Sequence, residues 1–321
     1  MTSAIKGTGS VKRTLTKIAF VVNPSSSMGA TGREWPGIKS LARDRLGSFQ
    51  STITTGPGEA TKSTRRFLEE GTDMVVCVGG DGTLNEVVNG FMGGKDPIRS
   101  DAVLGFIPRG TGCDFIKTVR IPKDLNKALD LLVDRHTRPL DLGRLEYCDH
   151  QGRPAVKYFH NVTSFGLGGE VDQRVNRTTK VFGGFVSFLW ATLVSLLIYD
   201  KKRIHIHVDN GKDWEVTCWN VAIANGQYHG GGMWIAPGAR VDDGFFQVTM
   251  MGNLSLAEIF WHFPKLYNGR LLQVKKVIAL SGKRIEAYSD QRVLLDVDGE
   301  QPGQLPVVID MVPGALQLIR P

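Results

Sequence analysis

Nine residues, Val78-Gly79-Gly80-Asp81-Gly82-Thr83-Leu84-Asn85-Glu86, narrow what this chain can fold into more than any others. An apolar run, Asp73–Val78 (DMVVCV), leads into them, and apolar residues at helical spacing, Leu84, Val87, Val88 and Phe91, lead out. The order is strand, glycine loop, helix. The glycines let the backbone come close to a ligand. The helix that follows offers unpaired N–H groups and a positive dipole end to an anion. Asp81 inside such a loop would repel a bare phosphate, so its use is with Mg²⁺ or in orienting donors. A nucleotide triphosphate site fits this arrangement. A glycine-rich turn with Asp81 as an N-cap is the plain structural alternative.

The same alternation surrounds the loop. Strands are predicted at Ile18–Val22, Ser51–Thr54 and Val103–Ile107, and helices over Glu34–Leu46, Glu59–Glu70 and Leu125–Val133. Strand alternating with helix predicts an α/β domain with a doubly wound, mostly parallel sheet over residues 17–139. Near residue 140 the texture changes. Strand-like runs follow one another at Leu140–Tyr147, Val156–Thr163, Arg203–Val208, Trp214–Ala224, Gly244–Met251, Lys276–Ser281, Arg284–Ala287, Val293–Val297 and Leu316–Ile319. Residues 140–321 therefore read as a β-sandwich domain, with its last strand able to return to the first domain. Residues 1–16 read as a basic leader. A chain of 321 residues has room for two such cores.

Charge and composition exclude several classes. The 39 Lys and Arg against 32 Asp and Glu leave a net charge of +7, which favours anionic partners. Without a recognisable nucleic-acid module, those are nucleotide phosphates or an acidic membrane surface. The four cysteines, Cys77, Cys113, Cys148 and Cys218, lack metal-ligand spacing and read as reduced thiols, which predicts a cytoplasmic protein. Val181–Tyr199 carries no charge for 19 residues, the lower range for a membrane span, but contains Gly183, Gly184, Ser187, Thr192 and Ser195. It reads as a buried or interfacial helix.

Asn23–Ser27, Gly79–Asn85 and Arg109–Asp114 each follow a predicted strand, and open α/β sheets bind ligands beyond the carboxyl ends of their strands. Neither GxxxxGK[ST] nor GxGxxG is present, so phosphate must be gripped without a P-loop lysine. With Asn23-Pro24, the Gly79–Glu86 run, Pro108–Phe115 (PRGTGCDF), Leu140-Asp141-Leu142-Gly143, Asn161–Gly169 (NVTSFGLGG), Pro237–Val248 (PGARVDDGFFQV) and Asp298-Gly299-Glu300 in that order, the chain resembles the diacylglycerol kinase catalytic family. That family includes the YegS/BmrU-like bacterial lipid kinases and the sphingosine and ceramide kinases. The glycine–aspartate loop alone is shared with NAD kinases, and the ordered set is far more specific.

The resemblance implies an NAD-kinase-like nucleotide domain followed by a β-sandwich, and ATP- and Mg²⁺-dependent phosphorylation of a lipid hydroxyl at the membrane surface. It implies that ATP is held by Asn23, Pro24, Ser25, Ser26, Ser27, Thr54, Gly79, Gly80, Asp81, Gly82, Thr83, Leu84, Asn85 and Thr111. Asp81 would meet Mg²⁺, and Asp141 would be linked to that metal through its waters. A general base is placed in the last triplet, at Asp298 or Glu300. A second metal would sit on Asp243 and the carbonyls of Arg240 and Phe245. Where relatives often have glycine soon after Asn-Pro this chain has Ser25-Ser26-Ser27-Met28, and Cys113 and Arg109 replace a usual asparagine and a usual apolar residue. The basic leader and Lys201-Lys202-Arg203 would attract anionic headgroups. The expected partners are a lipid and a peripheral membrane contact, without nucleic acid; a homodimer is compatible with the sequence. A kinase of a soluble alcohol such as NAD, or a non-catalytic binding protein, are the rival readings.

Overall fold

The computed structural model describes residues 17–177, 194–209 and 211–321. The basic leader and most of the Val181–Tyr199 run lie outside these residues. Among them, no helix is long and apolar enough to cross a membrane.

Four parallel strands form the nucleotide half: β1 (Ile18–Val22), β2 (Gln50–Ile53), β3 (Met74–Gly79) and β4 (Val103–Pro108), in the order β2-β1-β3-β4. Every residue of β1, β3 and β4 is buried. Their continuous apolar runs suit parallel strands covered on both faces. The covering helices are α1 (Ala30–Leu46), α2 (Glu59–Glu69), α3 (Asp81–Phe91) and α5 (Leu125–Asp134), with a short α4 (Phe115–Val119) between β4 and α5. α5 starts where the Asp124 carboxylate accepts the Lys127 amide, an N-cap of the expected kind. Phe67, Leu84, Val88 and Phe91 pack on one sheet face, and Trp35, Ile38, Leu129 and Leu132 on the other.

The same sheet continues into the second half. β17 (Gly303–Ile319) pairs antiparallel with β5 (Thr137–Asp149) along nearly its whole length. Its other edge is shared: the end pairs in parallel with β4 at Gln317 and Leu318, and the beginning pairs antiparallel with β15 (Arg284–Tyr288). β8 (Lys202–Val208) and β9 (Lys212–Cys218) extend that side, and β6 (Pro154–Phe159) lies beyond β5. One ten-stranded sheet therefore runs through both halves, joined by β17, the last strand, which pairs back onto β4 of the first half.

A five-stranded antiparallel sheet packs against it, in the order β14 (Val277–Gly282), β13 (Phe246–Met251), β10 (Asn220–Ala224), β7 (Val162–Gly166), β16 (Leu295–Val297). Its inner face supplies Phe165, Val221, Ile223, Val248 and Leu295 to the core shared with Ile204, Ile206, Ile285 and Ile309. Its outer face is roofed as well, by the β11–β12 hairpin (Tyr228–His229, Met233–Trp234), helix α7 (Leu256–His262), two single 3₁₀ turns and residues 194–199. α7 begins with a capping box between Ser255 and Glu258. Helix α6 (Leu167–Arg177) leaves the end of β7. The predicted runs Val156–Thr163 and Trp214–Ala224 are each two strands, broken at His160–Asn161 and at Trp219.

Candidate active site

Because β1 to β4 are parallel, the loops after Val22, Ile53, Gly79 and Pro108 leave one edge together. The glycines there are required by space. A Cβ on Gly110 would lie 2.5 Å from the Gly80 Cα, and one on Gly79 would lie 2.7 Å from the Thr83 Oγ1, so the two loops touch backbone to backbone. Gly82 faces open space. The Asn23 amide donates to Thr83 Oγ1 at 2.9 Å, and its oxygen accepts the Ser25 amide at 3.0 Å. Ser26 and Ser27 turn their hydroxyls toward the scaffold: Ser26 donates to the Asn23 carbonyl, and Ser27 to the Arg109 carbonyl. Arg109, in place of an apolar residue, is ion-paired to Glu34 at 3.1 Å. Thr54 is buried beside this loop, with its amide on the Val22 carbonyl, and Thr111 is exposed at the rim. Pro24 backs against Gly32 of α1, and Leu84 points into the core. Glu86, the last motif residue, is scaffold: its carboxylate accepts the Gly58 and Ala60 amides and caps α2.

Asp81 opens α3. Its Oδ2 accepts the Asp114 amide at 2.9 Å, and its Oδ1 is buried without a partner among the described residues. Burial raises the pKa of this carboxyl, with Asp114 and Asp298 adding to the rise. A buried carboxylate oxygen lacking a donor is what a divalent cation or a ligand N–H would satisfy. Asp114 itself accepts the Gly231 and Gly232 amides at 2.7 and 3.1 Å and pairs with Lys117 at 2.8 Å, tying the β11–β12 hairpin to the nucleotide edge. Its place in the quoted Pro108–Phe115 motif was the only sequence signal for this role.

From the second half comes Asp298, just after β16, with φ of 51°. Its carboxylate accepts the Asn85 side-chain amide at 2.8 Å and the backbone amides of His160, Asn161 and Val162 at 2.9–3.1 Å. His160 Nδ1 lies 2.7 Å away, with the ring fully buried and edge-on to Phe115. Burial alone would raise the Asp298 pKa, but the neighbouring His160 and the bonds from backbone amides hold it at about 2. His160 had no distinguishing sequence signal, because it sits within a strand-like run. Glu300 points elsewhere: it is partly exposed and ion-paired to Lys157 of β6. The Asn85–Asp298 bond thus brings the glycine loop and the final triplet into one cleft.

Asp141 is tied to the same cleft through its backbone, since the Asn225 side-chain amide donates to the Asp141 and His160 carbonyls, each at 2.8 Å, but its side chain has partners of its own. Its carboxylate accepts the Gly244 amide at 2.7 Å and the Gly314 amide at 2.6 Å. Burial raises its pKa against those two bonds, and its acidic neighbours are Asp243 and Asp242. Asp242 is held by Arg320 at 2.7 Å, and Asp243 accepts the Phe245 amide at 3.1 Å, while Arg240 and Phe245 are exposed. Among the described residues, no group of three or more His, Cys, Asp or Glu is arranged to hold a metal ion.

A cavity of about 150 Å³ lies between the outer face of the five-stranded sheet and its roof. Its walls are apolar, including Leu196, Trp219, Ile235 and Leu266, and Asp296, Ser164 and His229 form a polar end. His229 Nε2 is 2.8 Å from Asp296, two residues before Asp298 on the same segment.

Residues 17–145 match the model of the diacylglycerol kinase catalytic domain, and residues 161–320 that of the YegS C-terminal NAD kinase beta sandwich-like domain. The diacylglycerol kinase of Staphylococcus haemolyticus is 30% identical over 292 residues, covering 89% of this chain and 83% of that protein. The diacylglycerol kinase of Staphylococcus carnosus is 29% identical over 290 residues, covering 89% of each. In fold, a crystal structure of a diacylglycerol kinase from Bacillus anthracis superposes with a TM-score of 0.70 at 20% identity, covering 97% of this chain and 98% of that one. Yeast NADH kinase is more distant, with a TM-score of 0.55 at 14% identity over 95% of this chain and 83% of its own. The chain belongs to the diacylglycerol kinase family of lipid kinases, and is an ATP-dependent phosphotransferase with an alcohol acceptor.

Proposed function

We propose that the cleft joined by the Asn85–Asp298 bond passes the γ-phosphate of ATP to the hydroxyl of a diacylglycerol-like lipid at a membrane surface. The observation that carries this reading is that one hydrogen bond, at 2.8 Å, links the phosphate-approaching loop to the acid-bearing triplet. Within Gly79–Asn85 the amides at the first turn of α3, before Leu84 whose N–H donates to the Gly80 carbonyl, hold the phosphates, assisted by Asn23, Ser25, Thr83 and Thr111. Asp81, through its unpartnered Oδ1, is the residue that would hold Mg²⁺, which when bound neutralises charge on the transferring phosphate. Asp114 fixes the Asp81 carboxylate by donating its amide to the other oxygen.

In the transfer, the lipid oxygen forms a bond to the γ-phosphorus, the bond from that phosphorus to the β-bridging oxygen breaks, and the hydroxyl proton leaves. The Asp298–His160 pair accepts that proton. The Asp298 oxygens are already taken by Asn85, three backbone amides and His160 Nδ1, so Asp298 orients the ring. His160 Nε2, which has no partner among the described residues, is the atom that takes the proton. Glu300 is ion-paired away from this point and serves the β5–β6 edge. The apolar cavity next to β16 supports a lipid acceptor over a dinucleotide: one acyl chain lies among Leu196, Trp219 and Leu266 while its polar end approaches the segment bearing Asp298.

Incubation of the protein with γ-labelled ATP, Mg²⁺ and diacylglycerol in mixed micelles tests the reading. Labelled lipid phosphate is the expected product. Phosphorylation of NAD with none of the lipid would replace this reading by the soluble-acceptor one.

A further inference from the structure

Helix α7 is apolar on both sides. Ile259, His262 and the following Phe263 turn inward and line the cavity. Phe260 and Trp261 turn outward, and Trp261 is 82% exposed, the most exposed large apolar side chain among the described residues. Leu256, Tyr267 and Leu272 on the same roof are exposed too, as are Leu197 and Ile198 beside Leu196, which packs into the roof. Residues 254–276 contain Lys265, Arg270, Lys275 and Lys276 against the single acid Glu258. An apolar patch rimmed by positive charge and continuous with an apolar cavity suits an anionic bilayer better than another protein.

We infer that α7 is the element that docks this protein on anionic bilayers, with Phe260 and Trp261 entering the headgroup–acyl boundary directly over the cavity. This rests on the lipid-acceptor reading only for its purpose; the docking itself is independent of the chemistry. Placing the roof in the bilayer lets a chain pass from lipid to cavity past Ile259 and Leu266 without crossing water. An aromatic at an interface supplies apolar area and tolerates the wet boundary.

The test uses the full chain, vesicles of phosphatidylcholine with phosphatidylglycerol, and the variants Trp261→Ser and Phe260→Ser. Both side chains are solvent-exposed, so the variants fold, which circular dichroism checks. Vesicle affinity is expected to fall about tenfold for Trp261→Ser. Brominated lipids are expected to quench a part of the emission that Trp261→Phe lacks. Phosphorylation of a short-chain diacylglycerol dissolved in water stays at the wild-type rate. Unchanged vesicle affinity in both serine variants, with no Trp261-dependent quenching, overturns the inference and passes docking to the 181–199 run. Equal loss of activity toward the dissolved acceptor would also overturn it, by making α7 part of the chemical site. A wild-type protein that binds vesicles through Trp261 yet phosphorylates no lipid would leave the docking role standing and remove the proposed function.

Discussion

The two acidic neighbourhoods differ in how completely their carboxylates are partnered. Around Asp141, every acid has an internal role: Asp141 takes two backbone amides, Asp242 takes Arg320 and Asp243 takes the amide of its own turn. Around Asp81 and Asp298 the bonding is uneven. Asp81 keeps one buried oxygen unpartnered among the described residues, while Asp298, near the other end of the chain, is saturated by donors from both halves of the molecule. A fold does not leave a buried carboxylate oxygen unpaired without a cost of about 1–3 kcal/mol. The difference teaches that partnering, more than residue type, sets an acid's part. The unsatisfied oxygen of Asp81 is open to a ligand, while the saturated Asp141 and Asp298 hold the sandwich to the nucleotide half, and Asp298 also fixes the His160 ring.

The comparison breaks most visibly if Asp81 is ordinary. Asp81→Asn is expected to lower kcat about 10³-fold, the upper range for losing one preorganised charge, with a wild-type melting curve. Steady-state kinetics beside calorimetry checks both. Asp141→Ala should do the reverse. Removing its carboxylate orphans the Gly244 and Gly314 amides, at about 1–3 kcal/mol each, and denaturant unfolding should show it. A kcat loss as large as that of Asp81→Asn, without loss of stability, would erase the distinction.

Acid sharpens it further. The Asp298 pKa is held at about 2 in the folded chain against about 3.9 when unfolded, so this group contributes stability above pH 4 that is lost as pH falls toward 2. Asp81 and Asp141 are shifted upward, and their protonation on acidification works in the opposite direction. Asp298→Asn should therefore be less stable than wild type at pH 6, with the gap narrowing toward pH 2. The smallest effect is expected at Cys113, whose thiol burial pushes up to about 12 and whose φ of 50° suits asparagine. Cys113→Asn should change stability by less than about 1 kcal/mol and leave turnover intact.

The nucleotide edge was legible because its physics is local. Fully buried parallel strands read as apolar runs, and the loops that approach phosphate read as glycines. The cleft's other wall was legible only as letters. The break at His160–Asn161, which delivers three amides to Asp298, falls inside a run of strand-forming residues, so His160 looked like strand interior. The strand pattern of β17 shows only at its last four residues because Pro306 and Pro313 interrupt it. The structure accommodates both prolines at shifts in the β5–β17 register, between Gln304 and Val307 and between Val312 and Leu316. α4 was missed because five residues hold too little periodicity to register. The motif around Asp141 implies a link to the metal at Asp81, while the partners of its side chain, the amides of residues 244 and 314, leave no local trace in the sequence.

The most direct measurement compares kcat and ATP affinity of Asp298→Asn and Glu300→Gln with the wild type, using diacylglycerol in mixed micelles. The account expects Asp298→Asn to lose about 10²–10⁴-fold in kcat with ATP Kd unchanged, because only the transition state needs the proton accepted. Glu300→Gln is expected to stay within about threefold of wild type, as the loss of a partly exposed ion pair does. Wild-type kcat in Asp298→Asn, or the collapse appearing in Glu300→Gln instead, would contradict the cleft as described.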